Sequence, residues 1–227
     1  MNAFWTNFFF GIYPYVAGAV FLVGSVVRFD YEPYTWKSGS SQFLRRRGML
    51  LASNAFHIGI IFLLTGHTIG LLTPHEAYSA LGLTAEAKQR LAMTAGGIAG
   101  TVCLFGMVFL VYRRLTDDRV RAAGSVMDTV ILLLLFAQLL LGLVSIHFSA
   151  AHSDASAMLA LASWAQRIVT FRGGAAELVG QTEWIFQAHL VLGMTIVLLF
   201  PFTRLVHIWS VPISYLGRRY QVVRRAG

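Results

Sequence analysis

Four histidines are the residues of this chain best suited to chemistry: His57 and His67 in one apolar segment, His189 and His207 in another far downstream. An imidazole in hydrocarbon is costly without a partner, so an ionisable side chain inside a membrane-spanning segment marks a functional site. Two per segment point to two bound metal centres. Cys103 is the chain's single cysteine, which rules out an internal disulfide, an iron-sulfur cluster and the Cys-x-x-Cys-His attachment of c-type haem. Any metal must therefore be held by histidine, and Cys103 reads as a small packing residue.

The elements that position these histidines follow from composition. The 227 residues are 56% hydrophobic and only 12% charged, against about a quarter charged in soluble domains. Five apolar stretches, approximately residues 5–27, 52–72, 91–112, 127–147 and 184–206, match the roughly 20 residues needed to cross about 30 Å of hydrocarbon as helix. Lipid offers the backbone no hydrogen-bond partners, so apolar runs without alternation are helices. The expected fold is all-α, a polytopic membrane protein with five transmembrane helices forming a single membrane domain over residues 1–227. No length is left for a soluble catalytic domain. The first span has no basic residue before Arg28 and no convincing cleavage site, so it reads as a retained anchor.

Basic residues set the orientation. Arg28, Lys37, Arg45, Arg46 and Arg47 follow span one, Arg113, Arg114, Arg119 and Arg121 follow span three, and Arg204, Arg218, Arg219, Arg224 and Arg225 finish or follow span five. The other side receives Lys88, Arg90, Arg167 and Arg172. The N-terminus is expected outside and the C-terminus, with a tail at residues 207–227, in the cytoplasm of a cell whose inner membrane holds the chain. The net charge of +8 is thus a topology signal, and nucleic acid is not an expected partner. Anionic lipid headgroups and a cytoplasmic protein are.

On that topology His57 and His207 lie toward the inner side and His67 and His189 toward the outer. Two imidazoles facing each other from neighbouring helices suit the two axial positions of a haem iron, and a bundle interior offers the porphyrin an apolar slot. Two haem b groups are the expected cofactors. His189 and His207, 18 residues apart, share one face of an unbroken helix at about 27 Å separation. His57 and His67, ten apart, differ by about 15 Å of rise and roughly 80° of rotation, a mismatch that tilt or a kink must absorb. Gly59, Gly66 and Gly193 give the macrocycle room, whereas Gly96, Gly97, Gly100 and Gly106 suit close helix packing. For one histidine alone the plain alternative is an interhelical hydrogen bond. His75, His147 and His152 fall at span ends, where solvated rings are the default. Trp5, Tyr13, Tyr15, Trp164, Trp184, Trp209 and Tyr215 fit an aromatic belt, and residues 156–171 read as an amphipathic helix on the outer surface.

The segments GIYPYVAGAVFLVGS, LASNAFHIGI, TGHTIGLLTPH, MTAGGIAG, VTFRGGA and HLVLGMTIVLLFPFTRLVHIWSVP closely resemble the gamma subunit of respiratory nitrate reductase, over nearly the whole chain. The resemblance implies a dihaem membrane cytochrome b that takes electrons from quinol near the outer face. They pass inward to a cytoplasmic iron-sulfur subunit and a molybdenum-containing catalytic subunit. The histidines in NAFHIG, GHTIG, QAHLVLG and RLVHIW match the family's haem ligands: His57 and His207 at the inner haem, His67 and His189 at the outer. It also implies a quinol pocket involving His67, Gly66 and Lys88. Read by itself, Lys88 suits either a hydrogen bond to a quinone oxygen or snorkelling at a helix start. Arg113 and Arg204 suit haem propionates or topology equally. On this reading the subunit oxidises quinol and conserves energy by moving charge inward, while nitrate reduction falls to a partner, since nothing here holds a molybdenum cofactor.

Two other readings stand beside it. One is a dihaem cytochrome b serving another quinol-linked iron-sulfur reductase. The other is a haem-free transporter or anchor using the histidines as a proton relay, against which Asp128 and Glu183 lie near span starts rather than mid-membrane.

Overall fold

A computed structural model describes residues 2–36, 48–152 and 154–210. Lys37, Arg45, Arg46, Arg47, Tyr215, Arg218, Arg219, Arg224, Arg225 and the tail from residue 211 lie outside the described residues. The chain opens with α1 (Ala3–Asn7), a widened π turn (Phe8–Ile12) and α2 (Tyr13–Tyr31), then α3 (Met49–Leu72), α4 (His75–Ser79), α5 (Ala85–Thr116) and α6 (Asp118–Ala122). It continues through α7 (Val126–Ala151), α8 (Ser156–Val169), α9 (Ala175–Gly180) and α10 (Trp184–Leu199), and closes on 3-10 turns at Phe200–Phe202 and Arg204–Ser210. Five helical segments are long and apolar enough to cross a bilayer: Ala3–Tyr31, Met49–Leu72, Ala85–Thr116, Val126–Ala151 and Trp184–Phe202. No strand occurs among the described residues.

Two of the spanning helices, α5 and α7, run past the apolar stretches with their starts capped by polar side chains. Thr84 accepts from the Ala87 amide at the start of α5, and Ser125 with Asp128 forms a reciprocal capping box on α7. The 32 residues of α5 rise about 48 Å, more than the roughly 30 Å hydrocarbon core. Lys88 and Arg113 thus sit near its two edges.

The spans pack in the order α3 on α5, α5 on α7, α7 on α10 and α10 on α2. The α3–α5 seam is the tightest, and glycine makes it so. A Cβ on Gly59 would stand 2.8 Å from the Cys103 backbone, and one on Gly106 would meet the Ala52 carbonyl. Cys103 is fully buried in this seam with its thiol toward the Phe56 carbonyl, 3.7 Å away. The close-packing role expected for Gly106 therefore holds. Gly59 belongs to the same seam and not to a cofactor slot, because the Cys103 backbone occupies the space beside it.

Two of the expected belt aromatics are structural instead. Trp164, 4% exposed, donates its indole N–H to the Phe10 carbonyl at 2.9 Å, and the Tyr13 hydroxyl bonds the Thr195 hydroxyl at 2.9 Å, joining α2 to α10. The π turn lengthens the local carbonyl ladder, and the indole uses the carbonyl at Phe10. The amphipathic helix expected over 156–171 is α8, and it buries Ala162, Trp164 and Ala165 while Gln166 donates to the Leu71 and Thr73 carbonyls at the end of α3. A packed strut, it fixes the end of α3 beyond His67.

At the opposite end Arg114 is buried, and its guanidinium donates to the Thr129 hydroxyl (2.9 Å) and to the Val120 (2.8 Å) and Ser125 (3.0 Å) carbonyls, with the Asp128 carboxylate at 3.6 Å. It closes the α5–α7 connection. Arg114→Leu would take a donor from the Val120 and Ser125 carbonyls, a cost of about 1–3 kcal/mol for a group left buried and unpaired. A lower temperature of heat-induced unfolding in detergent, with Arg114→Lys intermediate, is the expected outcome.

Candidate functional site

His67 and His189 face each other across the bundle. Their ring centroids are 6.1 Å apart and their planes inclined by 39°. With metal–imidazole bonds of about 2 Å, two rings on opposite sides of one metal have centroids about 6 Å apart. The spacing matches a pair of axial ligands. His67 comes from α3 and His189 from α10, two helices that are not neighbours in the packing order, so the rings meet across a gap and not across a tight seam. Gly66, beside His67, has nothing within 4 Å of where a Cβ would stand.

Three of the four histidines orient their rings in one way. The Nδ1–H of His57 donates to the Ser53 carbonyl at 2.7 Å, that of His67 to the Leu63 carbonyl at 2.7 Å, and that of His207 to the Arg204 carbonyl at 2.6 Å. A carbonyl only accepts, so Nδ1 carries the proton and Nε2 keeps its lone pair for a metal. His189 is held by its neighbours instead. A Cβ on Gly142 of α7 would come 3.1 Å from its Cε1, and the Gln138 amide nitrogen lies 3.1 Å from its carbonyl oxygen and 3.4 Å from its Nε2. The nitrogen of His189 without a protein partner is Nδ1. Gly193 admits the same Gln138 amide, 3.1 Å from where its Cβ would be. It therefore makes room for a side chain and not for a macrocycle.

The unbroken span five expected from the 18-residue spacing is not what forms. Pro201 has no N–H to continue the ladder, α10 ends at Leu199, and His207 sits in the separate turn Arg204–Ser210. His189 and His207 consequently do not share one helical face. Arg28 of α2 stabilises the break: its guanidinium donates to the Pro201 and Thr203 carbonyls at 2.6 and 2.8 Å and to the Thr35 hydroxyl at 3.2 Å. Gly24 lets Pro201 approach, 2.9 Å from where its Cβ would stand. Among the described residues no ring contact joins His57 to His207 as one joins His67 to His189. Arg28→Met is expected to weaken the His207 end by about 1.5–3 kcal/mol, the worth of hydrogen bonds from a charged donor. Heat-induced unfolding in detergent, compared with Arg28→Lys, checks it.

Among the remaining candidates, Lys88 places its ammonium 4.0 Å from the centre of the Tyr78 ring. Arg113 is buried in the last turn of α5 and Arg204 is half-buried, and both have partners within the protein. His152 stands 3.5 Å from the Glu183 carboxylate. Among the described residues no group of three or more His, Cys, Asp and Glu could hold a bare metal ion. A haem asks for two axial ligands and a slot, and the donor set fits that need. Gln138 and Arg28 were not foreseen as supporting residues. An amide inside the apolar run LLLLFAQLLLG was the available signal for Gln138, while Arg28 is indistinguishable in sequence from a topology residue.

Residues 6–226 match the family model described as nitrate reductase gamma subunit. The chain is 57% identical to the respiratory nitrate reductase 1 gamma chain of Escherichia coli K12 over 97% of its own length and 98% of that relative. It is 54% identical to the respiratory nitrate reductase 2 gamma chain of the same organism, over 96% of each. The nitrate reductase gamma chain of Bacillus subtilis 168 is 34% identical over 95% of this chain and 96% of its own. The order of the histidine-bearing segments, the five apolar spans and this full-length similarity agree, and the chain belongs to the nitrate reductase gamma subunit family.

Proposed function

We propose that this chain is the dihaem cytochrome b of a respiratory nitrate reductase, a single membrane domain that oxidises quinol at the outer side of the cytoplasmic membrane. It hands electrons to cytoplasmic iron-sulfur and molybdenum-containing subunits. The observation that carries the reading is the 6.1 Å spacing of the His67 and His189 rings from two separate helices, which suits axial ligation of one haem. His57 and His207 are assigned to a second haem, with the N-terminus outside and the C-terminus inside. Bound haems would supply one-electron carriers at two depths, their potentials set by axial ligands and burial.

The chain's own residues prepare these sites. Backbone carbonyls of Ser53, Leu63 and Arg204 fix the ring orientation of His57, His67 and His207. Arg113 and Arg204 are assigned to propionates at the inner end, where two guanidinium groups offset carboxylate charge. On the outer side Lys88, Gly66 and His67 are assigned to quinol, with the Lys88 ammonium donating to an oxygen of the ring and Gly66 leaving space beside it. Apolar spans keep water from the sites, and quinol protons leave on the side from which quinol enters. Nitrate is reduced on a partner subunit. Family membership favours this complex over another iron-sulfur reductase as the electron acceptor.

A pyridine haemochrome assay on the purified chain tests the reading. About two b-type haems per polypeptide are expected; none, in protein produced with ample haem, would overturn it.

A further inference from the structure

Among the described residues, Lys88 is held by an aromatic face and by no acceptor. Its Nζ is buried without a hydrogen-bond partner, 4.0 Å from the centre of the Tyr78 ring. Tyr78 is itself 5% exposed, and its hydroxyl is likewise buried and unpartnered. Both its backbone and its ring are held. Amides of Leu81 and Leu83 both bond the Tyr78 carbonyl at 3.1 Å, and the His75 ring packs edge-on at 5.0 Å, itself held by the Ser79 hydroxyl at 3.2 Å. Lys88 follows on the first turn of α5, whose start is pinned by the Thr84 cap. Burial first, then the carboxylates of Glu76 and Glu86, push the Tyr78 phenol above its ordinary range. It therefore stays neutral and forms no ion pair with the lysine.

A neutral ring face attracts an ammonium without accepting any of its three N–H bonds. A carboxylate in the same place would occupy one of them and neutralise the charge. An ammonium poised on a ring and stripped of water is thus still short of acceptors, and leaving it so is costly. The oxygen of a quinol headgroup is an acceptor of the right kind.

We propose that Tyr78 is the positioning residue of the quinol site: its ring holds the Lys88 ammonium out of water with its donors free for a quinol oxygen. The inference rests on the assignment of Lys88 to quinol made above.

The test uses membranes carrying the assembled complex with Tyr78→Leu, Tyr78→Phe and Lys88→Ala. Four quantities are read: the KM and kcat for a short-chain quinol, the Kd of a fluorescent non-oxidisable quinol analogue by quenching, and the haem spectrum. Tyr78→Leu is expected to raise KM and Kd about 3- to 30-fold, the span of cation–π attraction from wet to desolvated sites. Its kcat at saturation and its haem spectrum should stay as in the parent. Tyr78→Phe, which keeps the ring, should remain within about two-fold in both constants. Tyr78→Met, of similar length and without a ring face, replaces Tyr78→Leu should the latter lose haem. Unchanged Kd in the ring-deleting variant, while Lys88→Ala weakens binding, would overturn the role of Tyr78 alone. So would Tyr78→Phe losing as much as Tyr78→Leu, since the hydroxyl would then be the active group. Unchanged Kd in Lys88→Ala would instead overturn the quinol assignment itself.

Discussion

His189→Ala protein will carry about one haem per polypeptide where the parent carries about two, and His67→Ala will show the same loss. Each substitution removes one of two imidazoles whose centroids stand 6.1 Å apart, and a haem with one axial ligand in an otherwise apolar slot keeps only part of its binding energy. The double variant should fall no lower than either single one, because both residues serve one group and their effects are not additive. His147→Ala, whose ring is exposed and packs on Phe148, should keep both haems. Pyridine haemochrome content and the optical spectrum of the reduced protein measure each variant. Two haems retained in both His67→Ala and His189→Ala would remove the axial assignment.

Gly106→Ala is the second large effect, and it acts on the fold. The added methyl would meet the Ala52 carbonyl oxygen and, at 2.5 Å, the Phe56 amide nitrogen. Both are backbone atoms of α3 and cannot rotate away, so α3 and α5 must separate along their tightest seam. Overpacking of this kind costs about 1–3 kcal/mol and occasionally more, and backbone neighbours put this site at the upper end. Because α3 carries both His57 and His67, its displacement is expected to lower haem content as well as the temperature of heat-induced unfolding in detergent. Gly96→Ala on the same helix is the control, since a Cβ there has nothing within 4 Å. Equal behaviour of the two variants would show that the seam tolerates separation.

Much of this was legible along the chain because lipid leaves so few options. A bilayer demands that every backbone group be paired within its own segment, so hydropathy alone located all five spans to within a few residues at most ends. The four histidines stood out for a related reason: polar side chains are rare where they are expensive. Fixed periods also made the small-residue seam partly readable, as the placement of Gly106 illustrates. Helix ends were less legible, because capping by Thr84 or by Ser125 with Asp128 extends α5 and α7 beyond the apolar run into segments that hydropathy scores as loop.

Three features needed the third dimension. The 18-residue interval between His189 and His207 suggested one helical face, but Pro201 ends the ladder and Arg28, 173 residues away in sequence, satisfies the freed carbonyl. Gly59 and Gly193 looked like space for a macrocycle and are filled by Cys103 and Gln138, since which neighbour meets a glycine depends on the packing order of helices. Trp164 and Tyr13 had the composition of an aromatic belt, and their partners at Phe10 and Thr195 turned them inward. By itself the sequence determined class, span number, candidate ligands and family, all properties of local composition and order. Only the tertiary structure decided at what spacing the His67 and His189 rings meet, where the last span breaks and what holds Lys88, because those depend on contacts between residues far apart in the chain.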